Sequence, residues 1–231
     1  KASELMVFLA GLEKFPFFAT INDLLTRLDP NFYSWPKDKK YYQFIKVLLD
    51  SNQLDFANKP KGILPFHNYN DHIATPIEEH LKESIYYAAS NNIGNIHFTI
   101  SENHQHNFEK IINDVKEKMN DNIKFNINFS YQSKKTDTIA VDINNKPFRN
   151  EDDQLVFRPG GHGALIDNLN QLEADLIFVK NIDNVIQNHV EVIALYKKAL
   201  AGIVLELQLQ IFEYLHQIQS NNFINDTEIV T

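Results

Sequence analysis

Three of the chain's seven glycines fall within four residues, in Phe157-Arg158-Pro159-Gly160-Gly161-His162-Gly163-Ala164-Leu165-Ile166. This stretch constrains the fold more than any other. Glycine permits φ > 0 and brings backbone N–H groups close to a ligand with no Cβ in the way. Ala164 to Leu172 read as a short helix, so the turn is expected at a helix N-terminus, where N–H groups and the dipole favour an anion. The apolar run Leu176 to Val179 then reads as a buried strand of a parallel sheet. Asp183 and Asn184 come just past its expected C-terminal end, the edge at which open α/β sheets bind ligands. Glycine turn, helix, buried strand and carboxylate, in that order, point to a nucleotide site. Alone, a Pro-Gly-Gly run is commonly a tight turn and an Asp after a strand commonly a cap. The reading rests on the combination, together with a lysine segment upstream.

That segment is Asn58-Lys59-Pro60-Lys61-Gly62-Ile63. Proline and glycine on either side hold Lys61 in a turn with little backbone freedom, from which its ammonium can meet a phosphate as a fixed point charge. Further on, Thr75-Pro76-Ile77-Glu78 is a helix start with Thr at the N-cap, Pro at N1 and Glu at N3. The capping box accounts for Glu78, and Glu79 is expected to face solvent. His97, His104 and His106 invite a metal reading, but an i, i+2 pair in a loop or first turn is poor geometry for shared ligation.

Before Lys61, three amphipathic helices are expected: Leu5 to Leu12, Ile21 to Leu28 and Phe44 to Leu49. Asn95 to Ser101 reads as a strand, followed by a helix to about Met119. Ile123 to Tyr131 alternates as a strand with one buried face, and Thr138 to Ile143 is another strand. A very long helix runs from about Val190 to Ile218 with one apolar stripe; it could pack across the domain or form a homodimer. The polar residues Asn221 to Thr231 read as a linker or frayed end. Strands alternating with helices imply an α/β fold with a mostly parallel sheet flanked by helices. The expected division is a helical part over residues 1–57, a nucleotide-binding core over 58–188, and a long helix and tail over 189–231.

A formal net charge of −8 argues against a general nucleic-acid surface. With no cysteine there is no disulfide, thiolate metal site or cysteine nucleophile. No apolar run approaches a membrane span and no signal peptide opens the chain, so the expected place is the cytoplasm. The chain begins at Lys1 inside a helical pattern without an initiator Met, as a fragment of a longer protein would.

Pro60-Lys61-Gly62, Thr99-Ile100-Ser101-Glu102, Pro159-Gly160-Gly161-His162-Gly163 and Asn181-Ile182-Asp183-Asn184 occur in the order used by UDP-sugar pyrophosphorylases. Over roughly Asn58 to Asn184 the chain resembles that family, and more closely an uncharacterised bacterial family catalogued as a domain of unknown function. The resemblance implies a nucleotide-diphospho-sugar transferase-like fold of the GT-A type. It also implies transfer of a nucleotidyl group from an NTP, here UTP, to a sugar 1-phosphate with release of pyrophosphate. By the same resemblance Lys61 contacts phosphate, and Gly161, His162 and Gly163 approach the base and phosphates. Asp183 then binds Mg²⁺. Gly160, Ser101 and Asn184 lie in the matched segments and go with the nucleotide. The glycine-rich phosphate loop that opens those enzymes has no counterpart before Lys61, and their later sugar-binding segment and second metal carboxylate have none after Asn184. Arg158 reads equally as a phosphate partner or a surface salt bridge. A non-catalytic nucleotide-sugar binding module and a glycosyltransferase using Asp183 and Mg²⁺ are the other two classes.

Overall fold

A computed structural model describes residues 2–119 and 123–220. The polar tail expected over Asn221 to Thr231, like Lys1, lies outside the described residues. Helices α1 (Ala2–Ala10), α2 (Phe18–Leu28) and α3 (Lys37–Leu49) open the chain. Phe18 to Leu28 places Ile21 and Leu25 on one face, four apart, and these meet Phe44, Val47 and Leu48 of α3. Around them Leu12, Phe32, Phe17, Trp35 and Phe56 complete a first core, in which Phe32 contacts the ring of Phe44 edge to face at 5.4 Å.

A second core begins after Pro60. A two-stranded hairpin, β1 (His67–Asn68) and β2 (Ile73–Ala74), leads into α4 (Pro76–Tyr87). Thr75 caps α4, its side chain accepting from the Glu78 N–H. Next come β3 (Ala89–Ser90), β4 (Ile93–Ile100), α5 (Gln105–Lys118) and β5 (Lys124–Tyr131). β4 and β5 pair in parallel over eight residues, Ile93 opposite Lys124 to Ile100 opposite Tyr131, and β3 runs antiparallel to β4. Alternation sends Ile96, Phe98 and Ile100 of β4 and Phe125, Ile127 and Phe129 of β5 to one side. There they meet Ile77 and Leu81 of α4 and Phe108, Ile112 and Val115 of α5.

This is a correction to the expected architecture. The sheet is a small mixed one of three strands, and the rest of the strands form two-stranded hairpins; the chain is largely helical. It is not a mostly parallel sheet flanked by helices, and so not the GT-A-type arrangement. The reason is visible in the strands themselves. On the face opposite α4 and α5, β4 and β5 place Asn95 beside Asn126, His97 beside Asn128 and Thr99 beside Ser130. A face of amides, hydroxyls and an imidazole offers no apolar surface for a second helical layer.

Leu176 to Val179 is the second correction: it belongs to no strand. Phe178 turns inward and meets the Tyr87 ring edge-on at 4.8 Å, whereas Ile177 and Val179 point outward, Val179 being 73% exposed. Four apolar residues cannot by themselves distinguish a buried strand from a segment laid over a helix, and here α4 takes the contact. The stretch between β5 and the glycine turn is an exposed arm. It is closed by β6 (Thr138–Ile139) against β7 (Phe157–Arg158) and by hydrogen bonds from Ala140 to Val156 and Asn150 to Gln154. A short helix α6 (Ile166–Asn170) follows the glycine turn, and α7 (Val190–Gln219), 30 residues long, ends the described chain. Among the described residues no helix is long and apolar enough to cross a membrane.

Candidate functional site

Gly62 sets the geometry of the site. It lies buried in a single 3₁₀ turn, Lys61–Ile63, and a Cβ there would stand 2.9 Å from Ile182 Cγ1 and 3.1 Å from Phe108 Cζ. Only hydrogen fits that space, so the turn presses against the 181–184 segment and the first turn of α5. Lys61 is thereby carried to Asp183, and its Nζ meets Asp183 Oδ2 at 2.6 Å. The pair is solvated, with side chains 69% and 38% exposed. Asp183 itself sits in a turn closed by the Asn184 N–H donating to the Asn181 carbonyl at 3.0 Å. The hydrogen bond from Lys61 holds the Asp183 carboxyl below the ordinary carboxylate range. Its own backbone helps, and the charges of Lys61 and His162 add to the effect.

His162 is therefore close to the pair, and the glycine turn is anchored at the same end of the sheet. A Cβ on Gly160 would be 2.7 Å from the Thr136 carbonyl oxygen, just beyond β5. On the other side of the turn, the buried Asn168 of α6 donates through Nδ2 to Ser130 Oγ and to the Tyr131 carbonyl, both at 2.9 Å. Ser130 Oγ also lies 2.8 Å from His97 Nε2 and 3.1 Å from Thr99 Oγ1. Burial pushes the His97 imidazole below its usual value, towards the neutral form. His97 is thus part of the lattice that seats the turn. His104 and His106 do not join it, and among the described residues no group of three or more His, Asp or Glu is placed to hold a metal.

The glycines do not use the freedom expected of them. None has positive φ, and Gly161 is extended at φ −73° and ψ −167°. Gly160 is needed for close approach; at Gly161 and Gly163 an added Cβ would meet nothing within 4 Å. The residues after the turn form a 3₁₀ segment, His162–Leu165, and then only five residues of α-helix, so the expected helix N-terminus has little dipole to offer. Ser101 and Asn184 make no hydrogen bond to Lys61, to Asp183 or to the glycine turn among the described residues. Ser101 is exposed at the tip of β4, where its carbonyl accepts from the His104 N–H. Arg158 is exposed in β7.

Beneath the 176–184 segment lies a charged layer that periodicity does not disclose. His80 Nε2 donates to the Ile182 carbonyl at 3.0 Å; burial, then the nearby Lys180 charge, pushes its pKa down. One turn further along α4, Glu83 is 3% exposed and receives Lys180, Lys197 of α7 and the Tyr87 hydroxyl, the last at 3.1 Å. Burial and the adjoining carboxylate push the Tyr87 phenol up. Glu79, expected to face solvent, is instead 3% exposed. It accepts from Tyr69 at 2.8 Å and lies 2.7 Å from His67 Nδ1, because the β1–β2 hairpin folds over the start of α4. Glu78 is buried beside it, paired with Lys82 at 2.7 Å and 2.8 Å from His72 Nε2. Glu78, Glu79, His80 and Glu83 put charge all around a helix that also carries Ile77 and Leu81, but nothing in that spacing shows which of them are covered or by what.

The site is therefore a solvated lysine–aspartate pair flanked by an anchored glycine turn, at the C-terminal end of a parallel strand pair. Its metal capacity is narrow: one carboxylate. That fits Mg²⁺ carried on a ligand's phosphates, since this ion keeps several waters and takes one or two carboxylates, and it does not fit a metal caged by protein alone.

The chain belongs to a family described as a domain of unknown function, DUF4301, whose profile matches residues 1–230. No curated protein and no solved structure matches it.

Proposed function

We propose that this chain carries the phosphate-handling part of a nucleotidyl-transfer site, acting on a nucleoside triphosphate, UTP in the first instance, and a sugar 1-phosphate. The observation that carries the reading is the Lys61–Asp183 pair, made across 122 residues of sequence and left open to solvent at 2.6 Å. A solvated pair of this kind adds little to stability, so stability is a poor reason for two segments to converge on it. Two further features support the reading. His162 is close enough to lower the Asp183 carboxyl, and Gly161 and Gly163 keep open space that neither their φ angles nor packing require. The order of these segments resembles UDP-sugar pyrophosphorylases, although the sheet around them does not.

In this reading the pair is a resting state in which each group serves as the other's counterion. A phosphate takes Lys61, which holds it as a point charge and opposes negative charge developing at the α-phosphorus. Asp183, released, offers its carboxylate to Mg²⁺, which when bound neutralises phosphate charge. The glycine turn supplies backbone N–H groups with no side chain in the way. In-line attack by the sugar phosphate oxygen needs positioning and charge neutralisation more than a covalent protein group.

The test is calorimetric titration of the chain with UTP, UDP-glucose and UDP-N-acetylglucosamine, with and without Mg²⁺, alongside pyrophosphate release from UTP and glucose 1-phosphate. Lys61→Ala is expected to weaken UTP binding by about ten- to hundredfold, the worth of a hydrogen bond to a charged group. Asp183→Asn should remove the Mg²⁺ dependence. Gly163→Ala should weaken binding with the melting temperature unchanged. Binding without pyrophosphate release would assign the chain as a nucleotide-sugar binding module. Absence of binding to all three ligands, or equal binding by parent and Lys61→Ala, would overturn the proposal.

A further inference from the structure

Helix α7 carries a seam in which Leu200, Val204, Leu207, Ile211 and Ile218 are exposed among the described residues. Only Ala194 of its 30 residues is buried, and the contact with α4 follows one line, through Ala194 and through Lys197, which reaches Glu83. Beside that line runs a heptad. Val190, Lys197, Val204, Ile211 and Ile218 recur every seven residues, and Ile193, Leu200, Leu207 and Tyr214 recur in the same way three positions on. From Leu200 onward the two sets alternate at spacings of four and three, the spacing of the a and d positions of a coiled coil. The exposures are 64% for Leu200, 51% for Val204, 52% for Leu207, 55% for Ile211 and 60% for Ile218.

The identity of these residues specifies the occupant. Val204, Ile211 and Ile218 at a with Leu200 and Leu207 at d follow the composition, β-branched at a and Leu at d, that favours two parallel strands over three or four; Tyr214 takes the last d position. The flanking e and g positions from Ala201 onward are Ala201, Ile203, Gln208, Gln210, Leu215 and Gln217, which carry no charge and so oppose no like charge on an identical helix. The acidic residues of this half, Glu206 and Glu213, fall one position before d and clear of the seam. We infer that α7 pairs with α7 of a second copy of this chain, parallel and in register, from about Leu200 to Ile218. Lys197 ends the seam on the side of the body, where it is drawn to Glu83 instead of across to a partner. Leu205, Leu209 and Phe212 lie outside the seam and remain at solvent in the dimer, so they serve as internal controls.

The chain has no cysteine, which makes the test clean. Single substitutions Val204→Cys, Ile211→Cys and Ile218→Cys, oxidised gently, should each give a disulfide-linked dimer, and Leu209→Cys should not. Light scattering on the untreated chain should give the mass of two copies. Leu207→Glu with Ile211→Glu should give one copy, and Leu209→Glu should leave two. Since these positions are exposed, unchanged melting of the body by near-UV circular dichroism identifies a folded monomer. A monomeric parent, a mass of three or more copies, or efficient cross-linking at Leu209→Cys but not at Ile211→Cys would overturn the inference. Dimers that cross-link at Ile211→Cys but not at Val204→Cys and Ile218→Cys would overturn the parallel register.

Discussion

Replacing Glu83 with glutamine keeps the size of the side chain and removes its charge. Glu83 is 3% exposed and is met by two lysines whose side chains are only 15% and 23% exposed. A buried ion pair adds little net stability, because desolvation offsets attraction. Removing one partner is different: it leaves the other charge buried, at about 3–5 kcal/mol. Two ammoniums are orphaned here, but each retains some water, which places the expected loss at about 3–4 kcal/mol. In a chain of this size each kcal/mol moves the melting temperature by about 2–4 °C, so Glu83→Gln should melt about 6–16 °C below the parent. The sign of the pH dependence follows from the same contacts. Burial pushes the Glu83 carboxyl up, but hydrogen bonds from Lys180 and Lys197 outweigh it and hold the group below its ordinary value of 4.5. A carboxyl lowered in the folded state contributes stability that is complete above that ordinary value and is lost as pH falls through the folded one. The gap between parent and Glu83→Gln should therefore narrow as the pH drops below 4.5. Urea and thermal unfolding of both proteins between pH 3 and pH 8 measure this. A melting difference under about 2 °C at neutral pH would refute the burial argument, as would a gap that widens in acid.

Gly62→Ala should destabilise the fold by about 1–3 kcal/mol, because its Cβ drives into Ile182 and Phe108; urea unfolding measures the loss. Asn168→Ala leaves the Tyr131 carbonyl and Ser130 without their shared donor, and should cost about 1–3 kcal/mol by the same assay. It should also speed amide exchange across Gly160 to Ile166. Thr75→Ala removes the cap of α4. Since that hydrogen bond is long at 3.4 Å, thermal melts should show a loss near the low end of the usual range, about 0.5–1 kcal/mol.

How much of this could be read from the sequence depends on whether the cause was local. Thr75-Pro76 marks the start of α4, and the apolar spacing in Phe18 to Leu28 marks α2, because caps and helical periodicity act within a few residues. The long α7 is legible for the same reason. Leu176 to Val179 was not, since a four-residue apolar run takes its conformation from whatever it lies against, and only the folded chain supplies Tyr87. Nor does anything near Glu79 show that Tyr69 and His67 will cover it; a helix drawn alone leaves that side free. The alternation of Phe125, Ile127 and Phe129 with Asn126, Asn128 and Ser130 already excluded a second layer of helices. One buried face is common to a small mixed sheet and a large parallel one; it is the polar face that distinguishes them. Asn168 left no local signal, because its role depends on a strand end nearly forty positions away.

The separation of the two cores sets an order of events on the ribosome. The first core is assembled entirely from residues between Phe8 and Phe56, and can close as soon as that much chain has emerged. The second contains Ile63 but also Ile182, so the Lys61 turn must wait for its counterpart to be made. At about 5–20 residues per second, the interval from Phe56 to Ile182 lasts on the order of 6–25 s. Throughout it the Lys61 turn lacks the contact that Gly62 makes with Ile182, although β4 and β5 can already lie against α4 and α5, which precede Tyr131 in the chain. In nascent chains of this protein, amide protection of the Lys61 turn should therefore appear only once Ile182 clears the exit tunnel, after the head has folded.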